Sequence, residues 1–371
     1  MVTVGKEDVV KVSGVAVETL QVPVEHSYVA AGRRVDANWH VLARVTTDAG
    51  IEGIGYIVSL RQDLVRVVAE ATRELGEQLI GVHVLEVEAS WARLTSVGGW
   101  IGPGGLLHIA IAPLDIALWD AMGKTLGQPL YRLLGGYGDR LPAYASDRLW
   151  YSLSPEELAG SASRHVANGF RAVKLRLGKE VNPAAEVSRV RAVQQAVGTD
   201  IRILVDATES WDRARATLTG RRLQEAGIAW LEDPLHHQDV AGLSDLAETL
   251  DIPVAGGEHL YDLAAFKTLL QSHAVDILII DLARVGGITP WRRIAALAQA
   301  YQLPVCGHVI PEIHVHLLSA IPNGLMVEYV PRSAAILREM PALEDGCLVA
   351  PRGPGLGVEL DEAAVKRCRV G

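Results

Sequence analysis

Cysteine is scarce in this chain. Three residues in 371, Cys306, Cys347 and Cys368, are too few and too scattered for a disulfide framework or a zinc knuckle. They read as thiols of a reducing compartment. Cys306, two residues before His308, would share that histidine's strand face as a packing residue. Runs of lysine and arginine are missing too. The net charge of −9 is spread along the chain, without the basic track that follows a phosphate backbone, so nucleic acid is not an expected partner. No uninterrupted apolar run reads as long enough to cross a bilayer, and the opening MVTVGKEDVVKV has no apolar h-region. The expectation is a cytoplasmic protein that engages no membrane. No low-complexity segment interrupts the pattern.

Apolar residues make up 49% and charged residues 21%, a globular balance with ample core. The length fits one (β/α)8-type barrel of about 250 residues plus a smaller domain. Eight short apolar runs, at 141–145, 171–176, 201–206, 228–232, 252–256, 276–281, 303–307 and 324–329, alternate with helical patterns. Runs that are apolar throughout suit a parallel sheet covered on both sides. Ser154-Pro155-Glu156-Glu157 starts one helix with a cap, a proline at its first position and a capping-box glutamate; another is expected near 184–197. No helix is evident after the last run, so the pattern predicts a (β/α)7β barrel over 141–344. Residues 1–140 read as an α+β domain: alternating β-branched strands turning at Asp48-Ala49-Gly50, then helices near 61–80 and 117–126. The turn-rich tail from about 345 to 371 is expected to rejoin that domain.

Three acidic residues end three of the runs at equal intervals, Asp206, Glu232 and Glu258, each 26 residues after the last. A strand, a helix and their loops take about 25 to 30 residues, so the three carboxylates fall on neighbouring strands at one end. An all-oxygen set favours a hard cation, with Mg²⁺ the leading candidate. Lys174 and Arg176, two apart on the second run, share a face. Asp281 and His308 end the sixth and seventh runs, where the carboxylate could fix the imidazole tautomer and leave the other nitrogen as a general base. Glu328 ends the eighth; neighbours that raised its pKa would let it donate a proton or hydrogen bond to a substrate carboxylate. His314 and His316, just after the seventh run, read as structural. No His-x-His stands at an early strand end, which argues against an amidohydrolase-type barrel.

These residues and their surroundings resemble the mandelate racemase subgroup of the enolase superfamily over nearly the whole chain. The matching segments include PLDIALWDAMGKTLGQPLYRLLGG at 113–136, GFRAVKLRLG at 169–178, LVDA at 204–207, WLEDP at 230–234, GGEH at 256–259, DLARVGGIT at 281–289, GHVIPEIHVHLL at 307–318 and PGLGVELDE at 354–362. The resemblance implies a modified TIM barrel, (β/α)7β, closed by an α+β capping domain. It implies Asp206, Glu232 and Glu258 as Mg²⁺ ligands, Asp281 and His308 as the dyad that removes a proton α to a carboxylate, Lys174 as a contact of that carboxylate, and Glu328 as the acid hydrogen-bonded to it. The shared partial reaction is formation of an enediolate.

Two positions depart from the pattern. Racemases of the subgroup carry a second lysine, as base, where this chain has Arg176. A guanidinium stays protonated at neutral pH, which disfavours two-base racemisation. Thr208 stands where an asparagine often helps hold substrate. One base still supports elimination, so the expected reaction is dehydration of a sugar acid to a 2-keto-3-deoxy product. Racemisation, epimerisation or cycloisomerisation through the same intermediate is the alternative, and a non-catalytic barrel with a vestigial site is a third reading. The expected partner is a small carboxylate, and a homo-oligomer is expected. In the cap, His26, Arg33 and Arg34 could grip a distal carboxylate or could be solvated loop residues.

Overall fold

The computed structural model describes residues 9–30 and 33–370, with the side chains of Ala30 and Arg33 outside that set. Alternating apolar and polar residues near the N-terminus fold into three antiparallel strands, β1 (Val12–Ala30), β2 (Arg33–Thr47) and β3 (Glu52–Ser59). The turn joining β2 to β3 falls at Asp48-Ala49-Gly50, where Gly50 takes a positive φ of 75° and Asp48 Oδ1 accepts from the Lys11 amide at 2.9 Å. The helix Gly105–Leu126 lies against this sheet. Its approach depends on Gly53 and Gly55, where an added Cβ would stand 2.2 Å from the carbonyl oxygens of Ala117 and Pro113. Any side chain there would push helix and sheet apart.

That helix starts twelve residues before the expected position at 117. Pro113 lies inside it, where an interior proline removes one helix hydrogen bond. Burial of most of the element outweighs the lost hydrogen bond. By length and composition this helix could cross a membrane, but 78% of its most apolar window is buried inside the protein. It is a core helix here. The other expected cap helix, near 61–80, forms over Val65–Glu77.

The eight apolar runs form eight strands: β4 (Arg140–Ala145), β5 (Ala172–Arg176), β6 (Arg202–Asp206), β7 (Trp230–Glu232), β8 (Val254–Gly256), β9 (Ile277–Asp281), β10 (Val305–His308) and β11 (Gly324–Tyr329). Each pairs in parallel with the next, and β11 pairs with β4 to close the barrel. All seven connections between them are helical, the first over Pro155–Ala167 with the Ser154–Glu157 capping box formed and the sixth with two helices, Leu282–Val285 and Ile288–Ala300. After β11 the chain makes a 3₁₀ turn and a hairpin, β12 (Leu343–Glu344) and β13 (Cys347–Val349), whose second strand pairs antiparallel with β4. This hairpin straddles the boundary expected at 344. The tail then crosses to the N-terminal sheet: Asp120 Oδ1 accepts from the Leu356 amide at 2.7 Å, and β14 (Arg369–Val370) pairs with β1.

Inside the barrel, Tyr144, Ala172, Leu204, Trp230, Ala255, Ile277, Ile279, Cys306 and Met326 form an apolar plug. Side chains on a strand repeat every second residue. The next inward residues are therefore Ser146, Lys174, Asp206, Glu232, Asp281, His308 and Glu328. One apolar layer thus carries a polar layer at the C-terminal end, where barrels of this kind place their chemistry.

Candidate active site

Register sets the first contacts. Arg176 pairs with Asp206 and Asp206 with Glu232 across β5, β6 and β7, while Asp281 pairs with His308 across β9 and β10. Glu258 lies two residues beyond β8, past Gly257, whose φ of 120° would strain any side-chain-bearing residue.

Lys174 occupies the middle of the layer. Its ammonium lies 2.5 Å from Glu232 Oε1, 2.9 Å from Glu328 Oε1 and 3.9 Å from Asp206 Oδ2, and rests 5.5 Å from the centroid of the Tyr144 ring. Burial by itself would lower the lysine's pKa, but the three carboxylates raise it, so Lys174 is firmly cationic. Burial pushes Asp206 and Glu232 above the usual carboxylate range, with Lys174 opposing it. Glu258 falls below that range, because His308, His259, Lys174 and Arg284 outweigh its burial. Three oxygen-donor side chains gather at neighbouring strand ends, and burial raises the pKa of two of them; a hard divalent cation would relieve that cost by favouring their ionised form.

The dyad forms as expected. His308 Nδ1 lies 2.5 Å from Asp281 Oδ2, and the other oxygen of Asp281 accepts from the Arg284 amide at 2.8 Å. Nδ1–H therefore donates to Asp281 and Nε2 faces the cavity, 3.4 Å from Glu258 Oε1. Burial would lower His308, yet Glu258 and Asp281 carry its pKa above the ordinary histidine value.

Strand-end turns in this layer hold non-glycine residues in the left-handed region. Thr208 and Glu209 follow Asp206, Asp233 follows Glu232, and Val309 and Ile310 follow His308, all with φ between 40° and 55°. For the β-branched Thr208, Val309 and Ile310 this conformation is costly. Specific bonds accompany it: the Thr208 amide donates to Asp206 Oδ1 at 2.7 Å and the Val309 amide to Glu328 Oε2 at 2.9 Å. Thr208 thus meets the site through its backbone, while its hydroxyl pairs with Ser210 Oγ at 3.1 Å.

Arg176 is fixed on every side. One terminal nitrogen donates to the Ser146 carbonyl and hydroxyl oxygens, both at 2.9 Å. Other nitrogens lie 3.6 Å from Asp206 Oδ2 and 3.5 Å from Glu328 Oε1. The guanidinium carbon stands 4.1 Å from the Trp150 ring centroid.

Glu328 requires a correction. The sequence suggested a raised pKa and a proton to donate. In the structure Lys174, His308 and Arg176 outweigh its burial and hold it well below the usual range. It is a carboxylate that accepts from Val309, because the two cations on β5 point at it. Cys306 sits in the apolar plug with its thiol pushed up to about 12 by burial. His314 and His316 are buried on the helix Pro311–Ser319 and bonded to backbone carbonyls.

The polar layer opens into a cavity of about 1060 Å³ roofed by the cap, which contributes Trp39, Ser59 and Arg61. Of the cap residues singled out in the sequence, Arg34 lines this cavity and is paired with Asp36 at 2.7 Å. His26 does not: it faces a separate hollow beside Glu25 and Arg148. A register slip in the β1–β2 ribbon between Pro23 and Tyr28 turns that stretch aside. The side chain of Arg33 lies outside the described residues.

Several site residues escaped the sequence reading. Ser146 and Trp150 follow the first barrel strand, and only the partner they share, Arg176, marks them. Asp233 and His259 directly follow two of the carboxylates, a signal that could have found them. His259 Nε2 is 3.3 Å from Asp233 Oδ2, and His237 Nδ1 is 2.8 Å from Glu209 Oε1. Although burial would lower His259, its bond to Asp233 and the charges of Glu258 and Asp233 bring it up to about 9.

Comparison with known proteins agrees with this geometry. Residues 12–135 match the mandelate racemase / muconate lactonizing enzyme N-terminal domain, and residues 157–364 match the enolase C-terminal domain-like family. The chain is 31% identical over 347 residues to the L-talarate/galactarate dehydratase of Salmonella typhimurium, covering 93% of this chain and 87% of that protein. It is 30% identical over 332 residues to the 3,6-anhydro-alpha-L-galactonate cycloisomerase of Streptomyces coelicolor, covering 89% and 91%. Among solved structures, L-talarate dehydratase from Polaromonas sp. JS666, complexed with Mg and L-glucarate, superposes with a TM-score of 0.90 at 30% identity, covering 98% of each chain.

Proposed function

The chain belongs to the mandelate racemase / muconate lactonizing enzyme family of the enolase superfamily, and from that premise we propose that it dehydrates a sugar acid to a 2-keto-3-deoxy acid. Asp206, Glu232 and Glu258 are the residues that would hold Mg²⁺, which when bound supplies fixed positive charge against the negative charge that develops on the substrate carboxylate. Lys174 adds a permanent cation to the same place. Asp281 keeps His308 in the tautomer whose Nε2 faces the cavity. His308 Nε2 takes the α-proton and the electron pair passes into an enediolate. Collapse of the enediolate expels the 3-hydroxyl, which receives the proton from His308 and leaves as water. The resulting enol tautomerises to the 2-keto-3-deoxy product.

The observation that carries this reading over two-base racemisation is the immobilised Arg176. Its hydrogen bonds to Ser146, its two carboxylate neighbours and its place over Trp150 all favour the protonated guanidinium. Only His308 remains as a base, and one base serves elimination. Cycloisomerisation is the second reading, supported by the 30% identity to a cycloisomerase. A library of mono- and dicarboxylate sugar acids, incubated with the protein and Mg²⁺, separates the two. Dehydration yields a 2-keto-3-deoxy acid from at least one member; isomerisation with no loss of water from any member would refute it.

A further inference from the structure

Among the described residues, Arg284 aside, two cations at the cavity wall have no carboxylate in an ion pair: Lys179, which is exposed and lies 5.5 Å from the Tyr151 ring centroid, and Arg332, which is half-buried. Arg34 is paired with Asp36, Arg61 with Asp63 at 2.7 Å, Arg176 with Asp206 and Glu328, and Arg284 donates to the Glu258 carbonyl at 3.1 Å. Arg332, four residues past Glu328 on the loop after β11, lines both this cavity and the neighbouring hollow that holds Tyr28. Among the described residues no carboxylate forms an ion pair with it, and its Nε is buried without a hydrogen-bond partner. Its guanidinium faces the phenol of Tyr28, a neutral group whose pKa burial raises. His40, also nearby, is kept neutral by complete burial, which drives its pKa to about 3.

The loop that carries Arg332 is held in place. The Arg332 amide donates to the Val330 carbonyl at 2.8 Å, Pro331 restricts the preceding backbone, and the buried Ser333 hydroxyl lies 3.3 Å from His40 Nε2. The guanidinium is therefore positioned in advance while its charge is uncompensated. A half-buried arginine without an anion bears a desolvation cost that a bound anion would relieve. Its planar fork suits a carboxylate, which can accept two parallel hydrogen bonds.

We propose that Arg332 is the distal-anion contact of the active-site cavity and that it selects sugar diacids over sugar monoacids. This rests on the sugar-acid reading above. One carboxylate of the diacid lies at the Lys174 layer, beside the reacting carbon, and the other pairs with Arg332. A monoacid that ends in a hydroxymethyl group leaves the guanidinium unpaired. The specificity then resides on the barrel's eighth loop, not on the β1–β2 ribbon where the sequence directed attention.

The test compares two six-carbon sugar acids of identical stereochemistry that differ only at C6, carboxylate against hydroxymethyl. Dissociation constants are measured calorimetrically with Mg²⁺ in a His308→Asn background, so that neither acid is consumed; turnover is measured separately with the wild-type residue. The diacid should bind at least ~30-fold more tightly, a typical value for one charge-assisted pair. Adding Arg332→Gln should shrink that ratio to about threefold or less, and Arg332→Lys should leave it between the two. In turnover, Arg332→Gln should lose diacid activity mainly through KM. Equal affinities in the parent, or a ratio unchanged by both substitutions, overturns the proposal. Discrimination in binding with no turnover of either acid would uphold Arg332 and count against dehydration. If Arg332→Gln does not fold, the Arg332→Lys ratio decides.

Discussion

Arg176→Met tests the electrostatic account of the polar layer. The substitution keeps much of the side-chain volume and removes the charge. It deletes two hydrogen bonds of 2.9 Å to Ser146, the contact with Trp150, and ion pairs at 3.6 Å and 3.5 Å to Asp206 and Glu328. Breaking a buried ion pair by removing one partner costs about 3–5 kcal/mol, since the other charge stays buried. Lys174 remains 2.9 Å from Glu328 and 3.9 Å from Asp206, so the lower end, about 3 kcal/mol, is expected. With an unfolding entropy of about 2.1 cal/mol/K per residue, a chain of 371 residues loses roughly 1.3 °C per kcal/mol, so the melting temperature should fall by roughly 4 °C. Differential scanning calorimetry of the metal-free protein measures it. Added Mg²⁺ should restore more stability to the variant than to the parent, because Asp206 is then a less compensated carboxylate. A variant as stable as the parent, or one that Mg²⁺ stabilises no further, would refute the reading of Arg176 as a structural cation.

Acid sensitivity offers a second check. His316 Nε2 lies 2.8 Å from the Leu356 carbonyl and its Nδ1 accepts from the Tyr131 amide at 3.3 Å, a pattern open only to the neutral ring; burial lowers its pKa from 6.5 to about 4. The unfolded chain then binds the proton more tightly, so stability is complete above pH 6.5 and is lost as pH falls toward 4, by about 1.4 kcal/mol per unit. Glutamine can make both bonds without titrating. Between pH 7 and pH 5, His316→Gln should therefore lose about 2 kcal/mol less than the parent in urea unfolding, and parallel losses would contradict the assignment. Cys306, buried in the apolar plug with a thiol pushed up to about 12, should resist iodoacetamide in the folded protein while alkylating in denaturant. Rapid labelling of the native protein, read by mass spectrometry, would show that the plug is open.

The polar layer was legible in the sequence because two periodicities locate it. The barrel unit sets the 26- and 27-residue intervals, and the two-residue strand repeat decides which side chains point inward. Asp206, Glu232, Asp281 and His308 lie where that arithmetic puts them, while Glu258 keeps the 26-residue interval but falls on the turn beyond β8. What stayed hidden depends on contacts between distant parts of the chain. The ionisation of Glu328 follows from Lys174 and Arg176, 154 and 152 residues earlier, and no local pattern reports their approach. Trp150 and Arg332 matter through what they face. The start of the helix Gly105–Leu126 was missed because its packing on Gly53 and Gly55 is tertiary, and no local pattern reports it.

The central claim is that His308, oriented by Asp281, is the single base that removes the α-proton. The most direct measurement is the rate of α-hydrogen loss from a turned-over sugar acid, followed by NMR in D₂O with Mg²⁺, for the wild type and for His308→Asn of equal thermal stability. The account predicts a fall of about 10²–10⁴-fold or more in the variant, with water loss falling in step. Loss of the α-hydrogen within tenfold of the wild-type rate would contradict it.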